Sequence, residues 1–290
     1  MPADPSPAGG AASAAGGAGA GGAAAGVAAA AGSAVLVDLL VLAGGRGSRL
    51  GGALKPAVDV AGRTLLSRVL DARPLVRRVV VVAPNAARPA AGTADRPDAA
   101  SGLVWVLEDP PFGGPVAGIA AGLAALGDGH DTAADGGAHT AADWVLVLAC
   151  DLPWAADAAR HLLSHLADPA LPPTLDGVYL VDDTGRDQWL VGVYRVAALR
   201  AGAARLGPAV HGASVRQLLT GLELRGLPDP SGASADVDTW QDVTHSAERL
   251  SAEQRGAPPG TSAPAAPPSI HRPERSTTRS FPSLSRSDTP

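Results

Sequence analysis

Along the chain, runs that are apolar throughout alternate with runs that are apolar on one side only. Residues 34–43, AVLVDLLVLA, are aliphatic almost without interruption, the pattern of a strand covered on both faces of a parallel sheet. VRRVVVVA at 76–83, GLVWVLED at 102–109 and DWVLVLACD at 143–151 repeat it. Between them, GRTLLSRVLDAR at 62–73 puts Leu65, Leu66, Val69 and Leu70 on one side of a helix, and GPVAGIAAGLAAL at 114–126 predicts a second helix. GVYLVDD at 177–183 and QWLVGVYR at 188–195 predict a hairpin turning at Thr184 and Gly185, after which GASVRQLLTGL at 212–222 returns to helix. Strands and helices alternating at this pitch imply an α/β fold of Rossmann-like, three-layer type: a mostly parallel sheet with helices on both faces. Two Gly/Ala/Asp-rich stretches, 84–101 and 127–142, read as surface loops.

Composition sets the limits of that folded unit. Residues 1–34 are Ala or Gly at 25 positions, and residues 255–290 hold eight prolines among Ser, Thr and Arg. Neither can bury enough apolar surface to offset the entropy of ordering, so both are expected to be disordered extensions around a domain at 35–254. No stretch of about 18 apolar residues lacks glycine or charge, which argues against a membrane span. The start, Met-Pro-Ala-Asp, has no basic segment of the kind that opens a signal peptide, and a cytoplasmic location is expected. The single cysteine, Cys150, has no internal partner for a disulfide; it reads as a buried strand residue.

The net charge of −5 is unevenly spread: the C-terminal 36 residues are +3 and residues 35–254 are −7. An acidic folded unit with local basic groups argues against a general nucleic-acid binder. Among 22 arginines there is one lysine, Lys55. A compact ammonium suits a tight phosphate site, where the guanidinium fork is wider, so the place where lysine survives is informative. His161 and His165, at i and i+4, have metal-ligand spacing but no evident third ligand, and read as a solvated helix face. Trp105, Trp144, Trp189 and Tyr194 lie in strands and are core candidates.

Lys55 sits in LVLAGGRGSRLGGALKP, residues 40–56, directly behind the first strand. Strand, glycine-rich turn and helix form a nucleotide-binding arrangement in open α/β sheets, because backbone N–H groups converge there on phosphates. The loop is not a P-loop, since Leu54 and Pro56 flank the lysine. It matches G-x-G-x-x-G only in Gly45 and Gly47, with Leu50 at the third position.

Leu42, Ala43, Gly44 and Gly45, then Arg49, Leu50 and Gly51, then Lys55 and Pro56, resemble the signature loop of nucleotidyltransferases, and most closely that of the molybdenum cofactor guanylyltransferase family of MobA-like NTP transferases. LEDPPFGGPVAGI at 107–119, LACDLPW at 148–154 and DVDTWQDV at 236–243 resemble three further motifs of that family, in order, across about 200 residues. The resemblance implies Mg²⁺-dependent transfer of a nucleoside monophosphate from an NTP, GTP being favoured, onto the phosphate of molybdopterin. Arg49 and Lys55 would neutralise the triphosphate, and Asp151 would be the metal ligand and a catalytic residue with them; Asp238 is a second metal candidate. Leu42, Ala43, Gly44, Gly45 and Asp109 would contact the nucleotide. A molybdoenzyme or cofactor-delivery protein is an expected partner. Ala83 stands where the family has asparagine, with Asn85 two positions on, and Leu54 where it has an acidic residue. Cytidylyl transfer, sugar-nucleotide transfer and non-catalytic nucleotide binding on the same fold are the alternatives.

Overall fold

A computed structural model describes residues 35–44, 50–95, 103–127, 142–168 and 170–256. Its strands are β1 (Val37–Leu42), β2 (Asp59–Val60), β3 (Arg63–Thr64), β4 (Val79–Val82), β5 (Leu103–Val106), β6 (Trp144–Ala149), β7 (Gly177–Val181), β8 (Asp187–Arg195) and β9 (Leu224–Pro228). Apart from the small β2–β3 hairpin they form a seven-stranded sheet in the order β5-β4-β1-β6-β8-β7-β9. β1 pairs in parallel with β4 and β6, β4 with β5, and β7 with β9; β8 runs antiparallel to both β6 and β7. Six strands therefore end on one edge, as the mostly parallel α/β expectation requires.

Alternation along the central strands divides the core in two. On one face, Leu39 and Val41 of β1, Val79 and Val81 of β4, and Leu146 and Leu148 of β6 pack with residues of α1 (Leu65–Val69), α3 (Ala155–Leu166) and α6 (Trp240–Gln254). On the other face, Leu40, Val80, Val145 and Val147 pack with α2 (Pro115–Ala125), α4 (Val196–Leu206) and α5 (Val215–Leu219). This is why the strand sequences are apolar at every position: both pleat faces are covered. The exception in β1, Asp38, is buried but bound by both carboxylate oxygens to Arg77, at 3.0 and 2.8 Å. α2 reaches β1 through its glycines, since a Cβ on Gly122 would lie 2.1 Å from Leu40 Cδ1.

Several expectations need correction. The predicted helix at 62–73 is shorter: the β2–β3 hairpin occupies its start, and the chain leaves α1 for 3₁₀ turns at Leu70–Leu75. Pro74, which lacks a donor N–H, stands in those turns. The stretch expected as a loop at 84–101 contains 3₁₀ turns over Asn85–Asp95 that bury Ala87, Ala90 and Ala91. Trp144 and Tyr194 are core residues, whereas Trp105 and Trp189 are half-buried. The hairpin at Thr184 and Gly185 forms as predicted, because Asp182 accepts from the N–H groups of Thr184 and Arg186 and the Thr184 hydroxyl. Residues 1–34 and 257–290 lie outside the described residues, as does most of the second loop, at 128–141.

Candidate active site

The shared carboxyl edge collects the chemistry. β1 leads to Ala43 and Gly44, β4 to Ala83, β5 to Glu108, β6 to Cys150 and Asp151, and β9 to the segment that carries Asp236 and Asp238. The chain turns to β4 on one side of β1 and later to β6 on the other, so a topological switch point lies at the ends of β1 and β6. Open α/β sheets bind ligands at such a crevice.

Asp151 is set there by extension of the β6 ladder, Cys150 N–H donating to Leu42 O at 3.0 Å. The bland role for an aspartate at a strand end is a helix cap, but α3 begins at Trp154 with no side-chain cap. Asp151 instead faces Lys55, Oδ2 lying 2.8 Å from Nζ, while its Oδ1 is buried without a partner among the described residues. The lysine is held by a 3₁₀ turn over Lys55–Ala57 with Pro56 buried in it. Its Nζ also donates to Asp238 Oδ1 at 2.5 Å, across 183 residues of sequence. Burial opposes the lysine charge, but Asp151 and then Asp238 outweigh it and hold the ammonium well above the usual lysine range.

Asp238 reaches this place through two backbone devices. Val237 N–H donates to Asp151 O at 3.0 Å, which docks the segment on the end of β6. A capping box then anchors Asp238 to the start of α6: Thr239 Oγ1 accepts from Asp242 N–H, and Asp242 Oδ2 accepts from the N–H groups of Thr239 and Asp238. Burial works against the Asp242 charge, yet these bonds hold its pKa below the ordinary value. Asp236 is a site residue that the motifs alone do not single out. Its signal was the Asp-Val-Asp alternation, in which Val237 is buried and both flanking carboxylates face the opposite way in extended chain. Ligand atoms of Asp151, Asp236 and Asp238 lie within 4.8 Å of one another. Crowding by protein atoms, then the charges of Asp151 and Asp238, raise the Asp236 pKa. Three oxygen donors, one of them a buried orphan, fit a hard cation such as Mg²⁺.

Beside Asp236 a cavity of about 760 Å³ opens at the ends of β7 and β9, lined among others by Asp182, Arg186, Gln188, Asp229 and Arg249. Asp229 knots its floor: the carboxylate accepts from Ala233 N–H at 3.0 Å, Ser234 N–H at 2.7 Å and the Ser231 and Ser234 hydroxyls. On the other side of β1, Ala43 is buried with its N–H on Val82 O, Leu42 is half-buried and Gly44 is exposed. Asp109 is exposed, while its neighbour Glu108 is buried with Oε1 accepting from Phe112 N–H at 3.0 Å. Gly45, Gly47 and Arg49 lie outside the described residues.

Cys150 is buried, and burial followed by the Asp151 charge pushes its thiol up, which agrees with a structural role. His161 Nε2 meets Pro228 O and His165 Nδ1 meets His161 O, each at 3.0 Å. Among the described residues the three aspartates alone have metal-site geometry, and the histidine pair does not.

A seven-stranded, mostly parallel sheet with a lysine and three carboxylates at its switch-point edge defines a Rossmann-like α/β domain with a charged crevice of the kind that binds ligands. Residues 39–224 match the family described as the MobA-like NTP transferase domain. The chain belongs to that family. It is 35% identical over 115 residues to a molybdenum cofactor guanylyltransferase of Serratia proteamaculans, a match covering 39% of this chain and 48% of the relative. It is 38% identical over 116 residues to one of Pseudomonas putida, with coverage of 40% and 50%. The chain thus spans about half the length of the curated relatives it matches. In fold it resembles a crystal structure from Mycobacterium sp. strain JC1, a homologue of M. tuberculosis Rv0371c, with a TM-score of 0.52, 19% identity, and coverage of 74% and 98% of the two chains. A 4-diphosphocytidyl-2C-methyl-D-erythritol synthase of Anaerococcus prevotii gives 0.51 at 13% identity with the same coverage. No helix among the described residues is long and apolar enough to cross a membrane.

Proposed function

We propose that the chain transfers GMP from GTP to the phosphate of molybdopterin, releasing pyrophosphate. The observation that carries this reading is Lys55 held between Asp151 and Asp238 at the switch-point edge, in a chain whose relatives are named molybdenum cofactor guanylyltransferase. In the transfer an acceptor phosphate oxygen attacks the α-phosphorus of the nucleotide. The bond from that phosphorus to the bridging oxygen breaks, and pyrophosphate leaves with the electron pair. The protein's task is to align the two phosphates and to offset their charge.

Asp151, Asp236 and Asp238 would hold Mg²⁺, whose charge, when bound, offsets that of the triphosphate. Lys55 would move from its carboxylate partners onto the triphosphate, with Arg49 as a second cation. The backbone of Leu42, Ala43, Gly44 and Gly45 would line the base and sugar side, with Asp109 at its rim. The acceptor would enter from the cavity at the ends of β7 and β9, because Asp236 belongs both to that wall and to the metal cluster. A cytoplasmic enzyme that hands its product to a molybdoenzyme or delivery protein fits this reading.

Pyrophosphate release tests it. Wild type with Mg²⁺, molybdopterin and each of GTP, CTP, ATP and UTP should work best with GTP. Asp151→Asn keeps the side-chain size but removes the ligand charge, and should lower the rate by roughly two orders of magnitude or more. Nucleotide binding without release in wild type would establish a non-catalytic binding protein, and a preference for CTP would establish a cytidylyltransferase.

A further inference from the structure

On the far side of β1 from the aspartates lies a carboxylate that the transfer reaction does not use. Glu108, two residues beyond β5, is 8% exposed. Its Oε1 accepts from Phe112 N–H, and its Oε2 is buried with no partner among the described residues. A buried carboxylate oxygen left without a donor is costly and is rarely retained without a use. The group faces the nucleotide loop: a Cβ built on Gly44 would lie 4.0 Å from Oε1, close enough to touch and not to clash. Two apolar side chains near it in sequence stay in solvent, Leu107 at 42% and Phe112 at 62% exposure. A carboxylate short of donors beside exposed apolar surface has the attributes of a site for a flat, polar-edged ring.

We propose that Glu108 reads the nucleotide base and selects guanine. This assignment rests on the nucleotidyltransferase reading above and adds the residue that determines which base is used. An ionised carboxylate accepts hydrogen bonds and donates none. Guanine presents two adjacent donors on one edge, the ring N1–H and the exocyclic amine. Adenine and cytosine present an amine next to a ring nitrogen that is itself an acceptor, and uracil presents one N–H between two carbonyls. Only guanine supplies donors to a carboxylate without also setting an acceptor against it. Oε2 accepts from no described residue and Oε1 has a lone pair beyond the one used by Phe112, so the group has acceptor capacity for both once the side chain turns its covered oxygen toward the base. The exposed Phe112 ring would offer a stacking face, a contact that every base satisfies and that carries no selectivity.

The test is equilibrium binding of GTP, ITP and CTP to the full chain with Mg²⁺, for wild type and Glu108→Gln, with the melting temperature of each. ITP keeps N1–H and lacks the amine. Wild type should bind GTP at least tenfold more tightly than ITP, about 1.4 kcal/mol. In Glu108→Gln, which retains an acceptor for Phe112, GTP should weaken by a similar factor and the GTP-to-ITP ratio should fall to about threefold or less. Glu108→Asp, which withdraws the carboxylate, should lower the ratio too and serves if the glutamine variant does not fold. A structural brace would affect all nucleotides equally, so a ratio that survives substitution overturns the assignment while leaving the transferase reading intact. Wild type that binds GTP and ITP alike overturns it without any variant. A preference for CTP overturns both the guanine reading and Glu108 as its source, and failure to bind any nucleotide overturns the proposed function itself.

Discussion

Replacing Lys55 with methionine removes a charge and leaves the shape nearly unchanged. In the structure the ammonium lies 2.8 Å from Asp151 and 2.5 Å from Asp238, and the side-chain exposures of the three are 17%, 18% and 35%. Breaking a fully buried pair costs about 3–5 kcal/mol, because the remaining charge is stranded. Partial exposure screens these pairs, which brings the expected loss to about 2 kcal/mol. For a domain of this size that is a fall of roughly 4–8 °C in melting temperature. The experiment compares melting curves of wild type and Lys55→Met in EDTA and in MgCl₂. With the lysine gone, three carboxylates whose ligand atoms lie within 4.8 Å of one another have lost the ammonium between them, so Mg²⁺ should stabilise the variant more than wild type. At 100 times its dissociation constant the ion would contribute about 2.7 kcal/mol, enough to offset the loss. Pyrophosphate release should still fall at least tenfold, about 1.4 kcal/mol, since the charge that met the triphosphate is not replaced. Equal melting temperatures in EDTA would show that the ion pairs contribute nothing, and equal Mg²⁺ increments would show that the aspartates do not form a shared site.

Gly122→Val places a branched side chain where even a Cβ would lie 2.1 Å from Leu40 Cδ1 in a fully buried layer; calorimetry should show a loss of about 1–3 kcal/mol from overpacking, and an unchanged transition would mean that α2 stands off β1. Asp229→Asn removes an acceptor oxygen from a carboxylate that takes four hydrogen bonds at 5% exposure, which should cost about 2–3 kcal/mol in chemical denaturation near neutral pH. Burial opposes the Asp229 charge, but the bonds from Ser234, Ala233 and Ser231 win and hold its pKa below the ordinary value. Its stabilisation is therefore complete above the unfolded carboxylate pKa of about 3.9 and is lost as pH falls through the folded value. The gap between wild type and Asp229→Asn should accordingly narrow as pH falls below about 4, and a gap that widens there would reverse the sign.

The sheet's centre was legible in the sequence because strands covered on both faces must be apolar at every position, and β1, β4 and β6 nearly are. α2 was legible from an apolar run opened by Gly114 and Pro115. The hairpin β2–β3 displaced the start of a predicted helix because two-residue strands have no period to detect. β9 adds in parallel to β7 with only Leu227 buried in LRGLP, a run too polar to read as a strand. Lys55, Asp151 and Asp238 stood out as residue types in motifs, yet nothing in their order states that residues 183 apart share a hydrogen bond. Asp236 entered the site through a bond from Val237 N–H to Asp151 O, and Glu108 was distinguished from Asp109 only by which of two adjacent carboxylates the turn buries. Local pattern determines which segments must be covered by others, since burial of apolar surface follows composition and period. Which polar groups then meet is decided by how the covered segments end, through single backbone hydrogen bonds between elements distant in sequence, and that is a property of the packed sheet alone.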